Sequence, residues 1–333
     1  MSKKVLEEAE PKPRVAIKRL EEFLRSQVVG QKKLIHRLLV GLLADGHLLV
    51  EGAPGLAKTR AINALAKGIK ADFHRVQFTP DLLPADLTGS DVYRPETGKF
   101  EFIRGPIFHN LILADEVNRA PAKVQSALLE AMAEHQVTVG GSSYRLPTLF
   151  LVMATQNPIE QEGTYPLPEA QLDRFLLHVE VDYPDREASR DILKITRDEA
   201  LDSLGESGEK KIKPLTQATI FAARREILEM YVADSVEEYI LQLVEATRTP
   251  GLYGDDLQRW VRWGASPRGA IGLERAARAV AWLLGRDYVT PEDVQSIAPD
   301  VLRHRVLLDY AAEAEGNTSG GLVAELLNRV PAP

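Results

Sequence analysis

The sequence predicts an α/β protein: a five-stranded parallel sheet with flanking helices, followed by a C-terminal α-helical lid domain. Three observations predict it. Five short apolar runs, each closed by turn residues and followed by a helical pattern, recur between His47 and Val181. Runs of this length without alternation read as buried parallel strands joined by crossover helices. After Pro184-Asp-Arg186 the strand pattern stops and helical periodicity takes over. One strand-to-helix turn also carries glycines and ends in Lys58-Thr59.

Taken in order, residues 1–14 mix charge with proline and read as a mobile tail. Apolar residues at helical spacing span Arg14–Leu24, and a second helix follows Val28-Val-Gly-Gln31 to about Asp45. The strands are His47–Glu51, Phe73–Phe78, Leu111–Asp115, Leu149–Thr155 and Leu176–Val181. Residues 15–185 then form the α/β core and 186–333 the helical lid. Inside the lid, Ser235-Val-Glu-Glu238 reads as a capping box. Thr290-Pro-Glu-Asp293 supplies an N-cap, a first-turn proline and a first-turn acid. Gly285 closes a helix over Leu273–Leu284, and Leu204–Pro214 is a loop rich in glycine and charge.

Composition narrows the chemistry. The chain has 333 residues, 44% hydrophobic and 27% charged, the size of about two soluble domains. A net charge of -7 does not suit a surface built to grip phosphate backbones, so no strong nucleic-acid binding is expected. There is no cysteine, which excludes disulfides and thiol chemistry, and the seven histidines lack metal-ligand spacing. The longest apolar region, Leu38–Val50, is interrupted by Asp45, Gly46 and His47, so no transmembrane segment is expected. No signal peptide is recognisable at the N-terminus, and the expected address is the cytoplasm.

The chemistry-bearing residues follow from this frame. Gly52, Ala53, Pro54, Gly55, Leu56, Ala57, Lys58 and Thr59 leave the first strand, and Arg60 continues into a helix. Loop amides at a helix N-terminus attract anions, lysine neutralises outer phosphates, and a hydroxyl can ligate Mg²⁺. Ala57 stands where G-x-x-x-x-G-K-[ST] has its second glycine, which restricts positive φ. An ordinary strand-to-helix turn is the plain alternative for this stretch alone. Leu111–Asp115 ends in two acids, Asp115 to hold the metal shell and Glu116 to polarise the attacking water as general base. Two adjacent acids are by themselves a common solvated strand end; paired with Lys58-Thr59 they read as a hydrolytic site. Gln156-Asn157-Pro158 puts polar amides at the end of the fourth strand, where they can orient water or simply form a turn.

These residues resemble the AAA+ superfamily and, more narrowly, the MoxR family of the helix-2-insert group. The resemblance runs from Val28 to the C-terminus. It rests on Gly52–Thr59 with Ala57 in place, Gln77–Pro84, Asp115–Pro121, Ala154–Pro158, Leu167–Phe175 and Ser266-Pro-Arg-Gly269. It implies an AAA+ P-loop core binding ATP or ADP with Mg²⁺, and places Val29, Gly30 and Gln31 beside the adenine. It implies sensor roles for Asn157 and Arg268 and an arginine finger at Arg174, with Arg119 a second candidate for a contact across subunits. A finger supplied in trans requires a homo-oligomer, and a hexamer is what the resemblance suggests. The segments around Val92–Phe100 and Val137–Leu146 read as hairpins, the second turned by Gly140-Gly141, and the resemblance turns both toward a ring pore. MoxR-like proteins act as chaperone-like ATPases in remodelling or cofactor insertion, with a von Willebrand factor A-domain partner absent from this chain. Three other readings stay open: a nucleic-acid motor, a nucleotide-gated scaffold that scarcely hydrolyses ATP, and, more weakly, a metabolite kinase.

Overall fold

The computed structural model describes residues 12–158, 163–203 and 212–333. The chain opens with helices α1 (Pro13–Gln27) and α2 (Lys32–Leu43), then strand β1 (Leu48–Glu51), helix α3 (Lys58–Gly68) and strand β2 (Phe73–Gln77). A short helix α4 (Pro84–Thr88) leads into the hairpin β3 (Gly89–Arg94) and β4 (Lys99–Arg104). Strand β5 (Leu111–Asp115), helix α5 (Ala122–Glu134), a second hairpin of β6 (Gln136–Val139) and β7 (Ser142–Arg145), and strand β8 (Leu151–Gln156) follow. Helix α6 (Glu169–Leu172) and strand β9 (Leu177–Glu180) complete the sheet. The rest comprises helices α7 (Arg186–Ser203), α8 (Gln217–Leu228), α9 (Asp234–Arg248) and α10 (Asp255–Trp260), then strand β10 (Val261–Trp263). Helices α11 (Pro267–Leu283) and α12 (Pro291–Leu302), strand β11 (Leu307–Leu308), and helices α13 (Tyr310–Ala314) and α14 (Ser319–Arg329) end the chain.

The five core strands form one parallel sheet in the order β2-β5-β8-β1-β9. Both faces are covered, and the strand residues alternate between two cores. Leu48, Val50, Leu111, Leu113, Leu151 and Met153 face the core that contains α1, α2 and α3. Leu49, Ile112, Ala114, Val152 and Ala154 face α5. That alternation explains why the strands read as unbroken apolar runs: with a period of two, both sets of side chains are buried. The first core continues without a break into α8, α9, α11 and α12, whose Leu243, Leu273, Trp282 and Val301 are buried in it. One polar cluster also joins these helices to α2. Buried Asp300 accepts Arg37 Nε at 2.7 Å and lies within 3.2 Å of both Lys33 Nζ and Arg303 Nη2.

Several expectations need correction. Helix α1 begins at Pro13, inside the stretch read as a tail, because proline is well placed in a first turn; residues 1–11 of that tail lie outside the described residues. The Ser235 capping box does not form. Helix α9 starts two residues earlier than that box implies, with Ala233 at its N-cap and no side-chain cap bond. The segment after 186 is not purely helical, since β10 and β11 pair antiparallel. The helix that runs through Leu273 opens at Pro267, next to Arg268, and residues 204–211 of the expected loop lie outside the described residues. The remaining signals hold. Thr290 and Asp293 form a reciprocal capping box, and Gly285 follows α11 at φ 87°. Both hairpins form, and Gly140 and Gly141 turn the second at φ 58° and 82°. Among the described residues no helix is long and apolar enough to cross a membrane.

Candidate functional site

The C-terminal ends of β1, β5 and β8 meet around the loop that connects β1 to α3. Gly52 is required there by close approach, because a Cβ would lie 2.6 Å from the Val181 carbonyl oxygen. Gly55 sits at φ 82° with open space beside it, the backbone state that glycine adopts freely. Ala57 is held in the left-handed region at φ 58°, just before α3 begins at Lys58. The restriction expected of alanine is therefore overridden by the loop, at a cost of about 1–2 kcal/mol. Lys58 Nζ donates to the Gly52 carbonyl at 2.6 Å and to the Gln156 carbonyl at 3.3 Å. Burial pulls its pKa below that of an ordinary lysine, while Asp115, Glu116 and Glu51 push it back up. A lysine so held lies across the loop mouth between carbonyls that outer phosphates can replace.

The two acids are fixed by a residue that sequence reading passed over. Thr155, on β8, donates its hydroxyl to Asp115 Oδ1 at 2.6 Å and accepts the Glu116 backbone N–H at 2.9 Å. Glu116 needs that support, for its backbone is left-handed at φ 57°. Its Oε2 accepts Gln77 Nε2 at 2.8 Å and Arg119 Nη1 at 3.4 Å. The second oxygen of Asp115 accepts Arg75 Nη2 at 2.8 Å. Glu51, at the end of β1, pairs with His178 at 2.8 Å, and this hydrogen bond foremost lowers its pKa. The Thr59 hydroxyl and the Asp115 carboxylate offer only oxygen donors, the type that suits a hard divalent cation such as Mg²⁺.

Asn157 is buried directly after β8, beside the Gln156 carbonyl that Lys58 contacts. The Val29-Gly30-Gln31 turn packs at the edge of the same region. Gln31 Nε2 donates to the Asp182 carbonyl at 3.0 Å, and a Cβ on Gly30 would lie 2.9 Å from Pro184 and Ala188. A cavity of about 740 Å³ runs along the outer face of α3 past Arg60, Asn63 and Lys67; it meets the phosphate loop only at Thr59. The structure does not bring Arg174 to this site. It precedes β9, which pairs Leu177 with Leu48 and Glu180 with Glu51. Arg174 therefore lies at the N-terminal edge of the sheet and the phosphate loop at the opposite edge. Its Nη1 donates to the Leu129 carbonyl of α5 at 2.5 Å. Arg268 opens α11 beside Ser266, which contacts Asp173, so it too starts at the N-terminal edge.

Thr155, Gln77 and Arg75 are participants to which sequence reading assigned no role, although the first two lie in stretches that carry the resemblance. Thr155 immediately precedes the Gln156-Asn157 pair and Gln77 ends β2, so position at a strand's C-terminal end was the available signal.

A doubly wound sheet, a phosphate loop, a lysine held across its mouth and an acid pair at the neighbouring strand end define a P-loop ATPase of the AAA+ class. The family model described as "ATPase family associated with various cellular activities (AAA)" matches residues 47–177, and an AAA lid domain model matches 257–326. Chaperone MoxR1 of Mycobacterium tuberculosis is 45% identical over 307 residues, covering 92% of this chain and 79% of that protein. Protein MoxR of Methylorubrum extorquens is 35% identical, covering 96% of each chain. A crystal structure of a candidate ATPase from Cytophaga hutchinsonii superposes with a TM-score of 0.88 at 46% identity, again covering 96% of each chain. The chain belongs to the MoxR family of AAA+ ATPases.

Proposed function

We propose that this protein hydrolyses ATP at a site shared between subunits of a ring, and uses the resulting motion to remodel a protein complex. The observation that carries hydrolysis is the convergence of Lys58, Asp115 and Glu116, tied through Thr155 and the Gln156 carbonyl. Mg²⁺ held by Thr59 and Asp115 would draw charge from the β- and γ-phosphate oxygens. Lys58 exchanges its two carbonyl partners for those oxygens, and the loop amides from Gly52 to Thr59 cradle the rest. Glu116, released from Gln77, accepts a proton from the attacking water, which Asn157 helps to orient. Val29, Gly30 and Gln31 border the adenine, and Arg60 flanks the phosphates.

Arg174 supports the shared site. The paired residues of β1 and β9 alone separate it from its own phosphate loop by about 10 Å, before the connecting residues are added. The nearest γ-phosphate within its reach is a neighbour's, and Arg268 starts from the same edge. A ring, which we take to be a hexamer, supplies that neighbour; Arg119, beside Glu116, serves its own site in this arrangement. Chaperone activity is named for the Mycobacterium tuberculosis relative. We extend it here to a protein client and a von Willebrand factor A-domain partner. The hairpin β3–β4, whose Tyr93 and Phe100 rings are exposed and 5.4 Å apart, is the surface we assign to client contact.

The test is Mg²⁺-ATP turnover against protein concentration for wild type, Lys58→Ala, Glu116→Gln and Arg174→Ala. Specific activity that rises with concentration, and is lost in all three variants, is the expected result. Concentration-independent turnover with an active Arg174→Ala would overturn the shared site.

A further inference from the structure

The residue beside Arg174 makes contacts that its own segment does not need. Asp173 Oδ2 accepts the Ser266 hydroxyl at 2.8 Å, and Ser266 Oγ in turn accepts the Arg268 backbone N–H at 3.1 Å. One carboxylate thus lies a single covalent link from the backbone of Arg174 and two hydrogen bonds from that of Arg268. Asp173 Oδ1 accepts Arg305 Nε at 2.9 Å. Arg305 has a side chain only 3% exposed; one further hydrogen bond goes to the Val301 carbonyl of α12, and the rest go to backbone carbonyls of the Asp173 segment. Nη2 reaches Phe175 at 2.6 Å and Asp173 at 3.3 Å, and Nη1 reaches Leu176 at 3.2 Å. His304 adds a contact to the Phe175 carbonyl at 3.0 Å.

Backbone packing points the same way. A Cβ on Gly272 of α11 would lie 3.1 Å from Val301 and 3.5 Å from Leu176, and one on Gly269 would lie 3.3 Å from Leu302. The first turns of α11, the end of α12 and residues 173–176 are therefore one tightly packed unit. A guanidinium surrounded by four carbonyls and a carboxylate resists reorientation, because leaving them strips hydrogen bonds from acceptors that are largely shielded from water. A structural brace for the lid alone would not require its carboxylate to come from the residue next to Arg174.

We propose that Asp173 is a positioning residue: with Ser266 and Arg305 it locks the Arg174 segment and the Arg268 helix into one body, so that both arginines are presented together. The proposal rests on the reading of Arg174 and Arg268 as groups that act on a neighbour's nucleotide. Rotation of α11 and α12 then moves the finger of the same chain, and the nucleotide bound by the neighbour senses lid position. Asp173 itself touches no nucleotide, so its loss disturbs turnover and leaves nucleotide affinity in place.

The experiment compares Asp173→Ala, Asp173→Asn, Ser266→Ala and Ser266→Thr with wild type, measuring kcat and KM for Mg²⁺-ATP, assembly state and melting temperature. Asp173→Ala is expected to lower kcat about tenfold or more with KM changed less than about twofold. Asp173→Asn, which keeps an acceptor for one partner, recovers part of the loss. In an Arg174→Lys background the same Asp173→Ala change costs clearly less than in wild type, because both act through one group. If Asp173→Ala does not fold, Ser266→Ala carries the test, with loss of kcat expected and recovery in Ser266→Thr. An assembled, folded Asp173→Ala or Ser266→Ala with wild-type kcat overturns the proposal while Arg174→Ala remains inactive. Full additivity with Arg174→Lys overturns it as well. An active Arg174→Ala removes the reading beneath it, and that outcome is recognisable from the single variant.

Discussion

Replacing Thr155 with valine removes one hydroxyl and keeps the shape of the side chain. Thr155 is 1% exposed, so water cannot take over either of its hydrogen bonds. One of these goes to a carboxylate at 2.6 Å, a charge-assisted bond with a net contribution of about 1.5–3 kcal/mol. The other satisfies the Glu116 N–H, whose desolvation without a partner costs about 1–3 kcal/mol. Allowing for relaxation, Thr155→Val should destabilise the fold by about 2–4 kcal/mol. Part of that loss falls on catalysis, because Glu116 occupies a left-handed backbone state that this bond supports. If about 1.5–3 kcal/mol of transition-state stabilisation is lost, kcat falls by roughly 10- to 100-fold. Urea titration and steady-state turnover read the two effects, and Thr155→Ser should recover both. A Thr155→Val protein as stable and as active as wild type would refute the reasoning, since the bridge would then hold nothing in place.

Other expectations follow from the same geometry. Asp300 is buried among Arg37, Lys33 and Arg303, so Asp300→Ala leaves the largely buried Arg37 guanidinium without its carboxylate, while Arg303 keeps only Glu180. Urea titration should show a loss of about 3–5 kcal/mol, and a loss below 1 kcal/mol would mean that the cluster is idle. His47 is fully buried and neutral. Its Nδ1 accepts the Val152 N–H at 3.0 Å and its Nε2 donates to the Met132 carbonyl at 3.4 Å, and burial first of all depresses its pKa to about 4. The unfolded chain binds a proton at this residue near pH 6.5 and the folded chain only near pH 4. Stability is therefore complete above about pH 6.5 and falls as pH drops toward 4, by up to about 3 kcal/mol from this group. Melting temperatures across that window check the sign, and His47→Gln should reduce the slope.

The core strands, the phosphate loop and the acid pair were legible because each is a local pattern. Apolar runs with both faces buried, a glycine turn before a helix and two acids at a strand end need no knowledge of distant residues. The ties between them were not. Thr155 meets Asp115, and Gln77 meets Glu116, only through the register of strands some forty residues apart. Arg305 reaches Asp173 across a far longer separation, and nothing in its local sequence marks it as buried. Strands β10 and β11, three and two residues long, are too short to show a period. At Ser235 the capping pattern was present, but α9 begins at Asp234, so the serine falls inside the first turn instead of before it.

The central claim is that each active site is completed by the next chain, and mixing two inactive variants tests it most directly. Glu116→Gln keeps Arg174 but lacks the base; Arg174→Ala keeps the base but lacks the finger. The account predicts that each is inactive alone and that their mixture regains turnover, because some sites combine an intact Glu116 with a neighbour's intact Arg174. A mixture that co-assembles and stays inactive at every ratio would contradict it.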